Sequence, residues 1–166
     1  MRRVLGVVAL CALPISVLSV SLAGTASAAS PATAGVICKK LHANFLTGGT
    51  GKIAKCSDTA NTGGKGKFPV ASLMSGSGTI TWNGTGTTTL TGIVATSVTP
   101  DTCPVAADGT QESEFTVTGN VTGGTGKAKK SIKAGWTLAS TVCVDLAGTG
   151  AVTLLPGTTL QIGAGL

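Results

Sequence analysis

The chain has no tyrosine, and its only arginines are Arg2 and Arg3. Aromatic residues make up 3% of it and charged residues 11%. Planar guanidinium groups and stacking rings are what read nucleic acids, so their scarcity excludes nucleic acid as a partner. There is one histidine, His42. A Ser/His/Asp triad or a histidine metal cluster has no local sequence support, and an exposed structural role suits His42 better. After Leu22 no stretch approaches the roughly 20 apolar residues needed to cross a bilayer, so the mature form is not expected to span a membrane. No helical 3.6-residue apolar stripe stands out beyond that point either.

What the chain does have begins at its N-terminus. Arg2-Arg3, an apolar run from Val4 to Leu22 and Ala26-Ser27-Ala28 have the form of an export signal with its cleavage site. Residues 1–28 are therefore read as a signal peptide, 29–34 as a flexible leader and 35–166 as one domain of typical single-domain length. Leu10 ahead of Cys11 does not fit a lipid anchor, and Arg2-Arg3 abuts Met1 without the polar stretch of twin-arginine signals. Cleavage removes Cys11 and both arginines, leaving ten lysines against six carboxylates. The mature protein is expected outside the cell or on its wall, where disulfides persist.

The rest alternates with period two between glycine-rich turns, as antiparallel strands do. Phe115, Val117, Gly119 and Val121 share one face, and Glu114, Thr116, Thr118 and Asn120 the other. Ile80 and Trp82 point inward from the stretch 79–84. Leu90, Val94 and Val98 do so from 87–98, with Gly92 as a candidate bulge. Trp136, Leu138, Val142, Val144 and Leu146 line a further strand, and residues 152–155 and 159–162 flank a Pro156-Gly157 turn. The expectation is an all-β domain, a single antiparallel sandwich or barrel of about eight or nine short strands.

Cys38 and Cys56 lie equally far from Thr47, beside the Gly48-Gly49 turn signal, so a hairpin turning there sets them opposite one another. That register places Ile37, Leu41, Ala43, Phe45 and Ile53 on the core face and the Cys38–Cys56 bridge on the solvent side. It also sends Lys39 and Lys55 inward unless that end of the hairpin frays. Cys103, in a Pro/Asp loop, then pairs with Cys143 on the outer face of its strand and ties the loop over the sheet. Four cysteines allow three pairings, and this one is preferred. Thr47-Gly48-Gly49-Thr50-Gly51-Lys52 recurs at 122–127 and loosely at 62–67, each copy read as a positive-φ turn between strands. A phosphate-loop reading fails, because Leu46, Asn61 and Val121 stand where its first glycine belongs and no Ser/Thr follows the lysine.

Three kinds of candidate site remain. Lys127, Lys129, Lys130 and Lys133 are the densest charge cluster and suit an anionic cell-wall polymer or lipid headgroups. Glu112 and Glu114 lie two apart on one strand face, where they would hold a cation or supply half of a hydrolase's carboxylate pair, or simply solvate the strand. Trp82 and Trp136 suit a sugar platform less well than a core, and outward threonine runs reflect strand preference more than an ice-binding array. No cofactor is implied.

The export signal, the hairpin from Val36-Ile37-Cys38-Lys39-Lys40-Leu41 to Lys55-Cys56, and the stretch from Thr118 to Lys127 together resemble uncharacterised small secreted actinobacterial β-proteins. The resemblance spans most of the mature chain and rests on turn-and-strand patterns. It implies export and a β fold, and it carries over no catalytic or binding residues. The expected molecule is a monomeric, non-enzymatic binding or structural module; the rival reading is a secreted hydrolase using Glu112 and Glu114.

Overall fold

A computed structural model describes residues 33–166. The signal sequence read at 1–28 lies outside the described residues, as does the leader up to residue 32. Thr33 and Ala34, read as the leader's end, already pair with Ala164 and Gly163 in the first strand.

The chain runs β1 (Thr33–Asn44), β2 (Thr50–Cys56), α1 (Thr59–Thr62), β3 (Lys65–Pro69), α2 (Ala71–Ser75), β4 (Ser77–Trp82) and β5 (Gly86–Ser97). It continues through β6 (Ser113–Gly124), α3 (Ala128–Ser131), β7 (Thr137–Val144), β8 (Ala151–Leu154) and β9 (Leu160–Ala164). Each strand from β1 to β7 pairs antiparallel with the next. β8 and β9 both pair antiparallel with β7 and with β1, β8 beside His42–Asn44 and β9 beside Thr33–Cys38. They are thus two halves of one interrupted strand, broken at Pro156-Gly157, and they close the sheet into an eight-place barrel. Of the two expected architectures, the barrel is the one formed.

One end of the barrel carries α1, α3 and the 83–85 turn, and is called here the tryptophan end. The other, the loop end, carries the 45–49 turn, α2 and the loops 98–112 and 145–150. Eight strands leave an interior just wide enough for side chains. The core is Val36, Ile53, Ile80, Trp82, Leu90, Val117, Val121, Leu138, Val142 and Ile162 with their neighbours. Space is shared between large and small residues on facing strands. The Phe68 ring lies over its cross-strand partner Gly51, and the Trp82 ring over Gly66. A Cβ on Gly51 would meet the Phe68 ring at 2.3 Å. Gly51 and Gly66 are therefore seats for aromatic rings.

The first hairpin has the register expected from sequence, with Cys38 opposite Cys56 and Leu41 opposite Ile53. The expected facing of the bridge is wrong. Cys38 and Cys56 are 0% and 4% exposed, in the core, and bonded to each other. Both strands change face between the cysteines and Leu41/Ile53, so Lys39 and Lys55 go to solvent and Ile37, expected inward, gives its core place to Val36. Lys55 takes a left-handed φ of 55° to achieve this. That conformation costs about 1–2 kcal/mol, less than the several kcal/mol of burying an ammonium group. The lysines thus decide the twist, and the cysteines follow inward.

Gly92 is a bulge, with φ 59° and a register shift between Thr91 and Val94. It lets Leu90 and Ile93 both face the core, so Val94, expected inward, is exposed. Leu146 is exposed too, because β7 ends at Val144. Gly48-Gly49 and Gly63-Gly64 are positive-φ turns as expected, but Gly123 and Gly124 lie within β6, and the turn there falls at Gly126. The strand β3 and the three single-turn helices were not foreseen.

Candidate functional site

The ten lysines of the described chain are all exposed and fall into two groups. Lys39, Lys40, Lys52, Lys55, Lys65 and Lys67 sit on the adjacent strands β1, β2 and β3. Lys127, Lys129, Lys130 and Lys133 surround α3, whose Ala128 is buried beneath them.

The first group is set by pleat and register. Alternation along β3 puts Gly66 and Phe68 inside, so Lys65, Lys67 and Pro69 face out. Lys67 lies directly opposite Lys52, and Lys52 opposite His42, giving an unbroken row across three strands. The next row is Lys40, Ala54 and Lys65. Facing side chains in such rows have Cβ atoms about 4.5–5.5 Å apart, and like charges placed there repel. No acidic residue stands on any of the three strands. Asp58, the nearest acid in sequence, caps α1 by accepting from the Asn61 amide at 3.2 Å. Hydrogen bonds, first from Ser131 and then from Asn61, hold its carboxyl below the usual range. Beside the rows runs a shallow groove of about 320 Å³, lined by Lys52, Lys65, Lys67, Thr81 and Asn83 together with Ile53, Ala54, Trp82 and two glycines.

The sequence singled out the α3 cluster and passed over the β1–β3 face. The glycine pattern of residues 62–67 reads as a turn, which removes Lys65 and Lys67 from any strand. The signal that could have found them is the alternation Lys65-Gly66-Lys67-Phe68.

Apart from Asp58, the acids gather at the loop end, and Cys103–Cys143 ties the 98–112 loop down over the barrel as expected. Glu114 was expected on a wet face, but that loop covers it and it is buried. Its carboxylate accepts from the Thr102 amide at 2.9 Å and from the Thr102 hydroxyl at 2.6 Å, while its own amide donates to Asp101 at 3.2 Å. Asp101, Cys103 and Glu114 lie close enough to share an ion. The sulfur of Cys103 is spent in the disulfide, however, and both carboxylates are anchoring backbone. Glu112 is half-buried, and its carboxyl is pushed up by burial first and then by Asp145, Asp101 and Asp108.

Asp145, which no sequence pattern marked, organises the neighbouring loop. It accepts from the amides of Thr149 and Gly148 and from the hydroxyls of Thr149 and Thr110. These bonds, the Thr149 amide foremost, hold it below the usual carboxylate range. Trp82 is enclosed and donates to the Thr88 hydroxyl at 2.8 Å, while Trp136 is half-buried over Gly35.

Among the described residues no helix is long and apolar enough to cross a membrane. Comparison with protein-family models, curated proteins and solved structures gives no match.

Proposed function

We propose that this is an exported, non-enzymatic β-barrel that binds anionic polymers of the cell envelope through the outer face of β1, β2 and β3. The observation that carries this reading is Lys52 held directly opposite Lys67, in a row with His42 and with no carboxylate on the three strands. Such a row works against the fold when empty, and a bound polyanion relieves it. Lysine supplies point charge without bidentate geometry, which suits a repeating phosphate or carboxylate backbone more than one defined small anion. The α3 lysines extend the positive surface as a second, independent contact. Two disulfides fit an oxidising extracellular setting. A closed barrel offers no free strand edge, in keeping with a monomer.

The test is retention of the mature protein on immobilised poly(glycerol phosphate) across a salt series. Retention should fall steeply with salt. The triple variant Lys52→Gln/Lys65→Gln/Lys67→Gln should lose most of it, and the α3 variant with Lys127, Lys129, Lys130 and Lys133 all changed to Gln should lose less. Retention indifferent to salt, or unchanged in the triple variant, overturns the reading. Equal binding to vesicles of anionic phospholipid would move the partner from wall polymer to membrane surface. N-terminal sequencing of the protein from culture supernatant should begin at Ala29 if export proceeds as proposed.

A further inference from the structure

The barrel interior is filled at the tryptophan end and incompletely filled toward the loop end. There a cavity of about 50 Å³ remains, walled by Leu41, Ile53, Leu90, Val117, Leu138 and Val152 among others. The wall is almost wholly aliphatic. Ser72 and Thr79 also line it, but of its hydroxyls only that of Ser140 is buried without a partner. Ser140 faces inward between Leu138 and Val142 on β7, is 6% exposed, and its hydroxyl oxygen has no hydrogen-bond partner among the described residues. Burying a hydroxyl without a partner is unfavourable, and alanine would fill the same place without that cost. No charged side chain lines the cavity, so an ionised ligand would be left without compensation there.

The way in is also marked. Over this end lies α2, a five-residue helix without a side-chain N-cap, whose Ser72 and Leu73 line the cavity. Gly78 leaves room for Ser72, since a Cβ there would meet the serine hydroxyl at 2.3 Å. Each of the four connections at the loop end presents one exposed aliphatic side chain: Leu46, Met74, Val105 and Leu146. Exposed apolar side chains at this end lower the cost of bringing a poorly hydrated molecule to it.

We propose that the barrel interior is a binding site for a small, uncharged, mainly aliphatic molecule carrying one oxygen, such as an alcohol or ketone, which enters past α2 and places its oxygen on the Ser140 hydroxyl. This site is internal and independent of the lysine face. The chamber admits only a few heavy atoms with α2 in place, so affinity should peak at short chain length and decline beyond it.

The experiment is an NMR titration of the full mature protein with hexan-2-one, hexan-1-ol and hexane, with shorter and longer homologues of each. Shifts should concentrate on Ser140, Leu73 and Val117. The oxygenated probe should bind roughly tenfold more tightly than the hydrocarbon, the factor that one hydrogen bond contributes. In Ser140→Ala that preference should vanish while the hydrocarbon still binds, and the ligand-free variant should melt no lower than the parent. Ser140→Val, which narrows the chamber, should weaken every probe. Absence of binding by all probes overturns the proposal, as does a preference that survives in Ser140→Ala. A crystal structure showing ordered water bonded to Ser140, with hydrocarbon excluded, overturns it as well.

Discussion

The two ends of the barrel solve closure differently. At the tryptophan end the seal is a side chain: Trp82 lies over Gly66, bonds Thr88, and has the Cys38–Cys56 bridge buried in the same core. At the loop end the seal is a lid and a strap. The helix α2 covers the interior, while Cys103–Cys143 binds a long loop outside the wall through a cluster of acids. The first end is held by packing and the second by polar anchors and a crosslink. The same strands thus run from a mouth closed by packing to one closed by a lid and polar anchors.

The largest break in this contrast should come from Trp82→Ala, expected to cost about 4–5 kcal/mol by leaving a cavity and an orphaned Thr88 hydroxyl. Met74→Ala, at the exposed centre of the lid, should fall within about 0.5 kcal/mol of the parent. Chemical denaturation of both variants measures the difference, and comparable losses would erase the distinction between the ends.

The disulfides come next. Replacing Cys38 and Cys56 together by alanine should cost roughly 3 kcal/mol from chain entropy and lower the cooperative unfolding midpoint of the whole barrel. Replacing Cys103 and Cys143 carries an entropic cost of roughly 4 kcal/mol, but its first visible effect should be local. Limited proteolysis should then cut within residues 98–112 while the strands remain protected. Cleavage elsewhere first would show that the outer bridge holds the barrel and not only its loop.

The loop end should also respond to acid. Because the folded-state pKa of Asp145 is lowered, its contribution is complete above the unfolded carboxylate value near about 3.9 and is lost as pH falls through the folded one. Asp145→Asn should flatten the acid side of a stability profile. Glu112 has the opposite sign: its folded-state pKa is raised, so its charge opposes folding at neutral pH. Glu112→Gln should stabilise the protein at pH 7 and lose that gain once pH drops below the unfolded glutamate value. A small effect is expected on the wall between the two ends. Lys67→Gln should raise stability by about 0.2–1 kcal/mol at low salt, an increase that high salt removes.

Much of the barrel was legible from period-two patterning, because Phe115 to Val121 and Ile80 to Trp82 alternate without interruption. The first hairpin's register was legible too, since it follows from the spacing of two cysteines about a turn. What alternation could not show was a change of phase within a strand. At Lys39/Lys55 and at Gly92 the backbone leaves the simple pleat, and each departure reversed a facing read from parity alone. The basic face was hidden for a related reason. It arises from three strands whose lysines are distant in sequence, and the central link, Lys52 opposite Lys67, exists only once β3 is recognised. Ser140 gave no sign at all, as serine at an inward strand position looks like any small residue until its neighbours prove to be aliphatic.

The pairing of Thr33 with Ala164 has one more consequence. The first and last rungs of the ladder sit side by side, so a short peptide joining Leu166 to Thr33 would give a ring without disturbing a strand. New ends cut at Gly48-Gly49, an open turn with empty space around both glycines, would then leave the wall intact. Such a circular permutant, with its free ends moved to the opposite mouth, would reveal whether folding of this cylinder depends on where its chain starts.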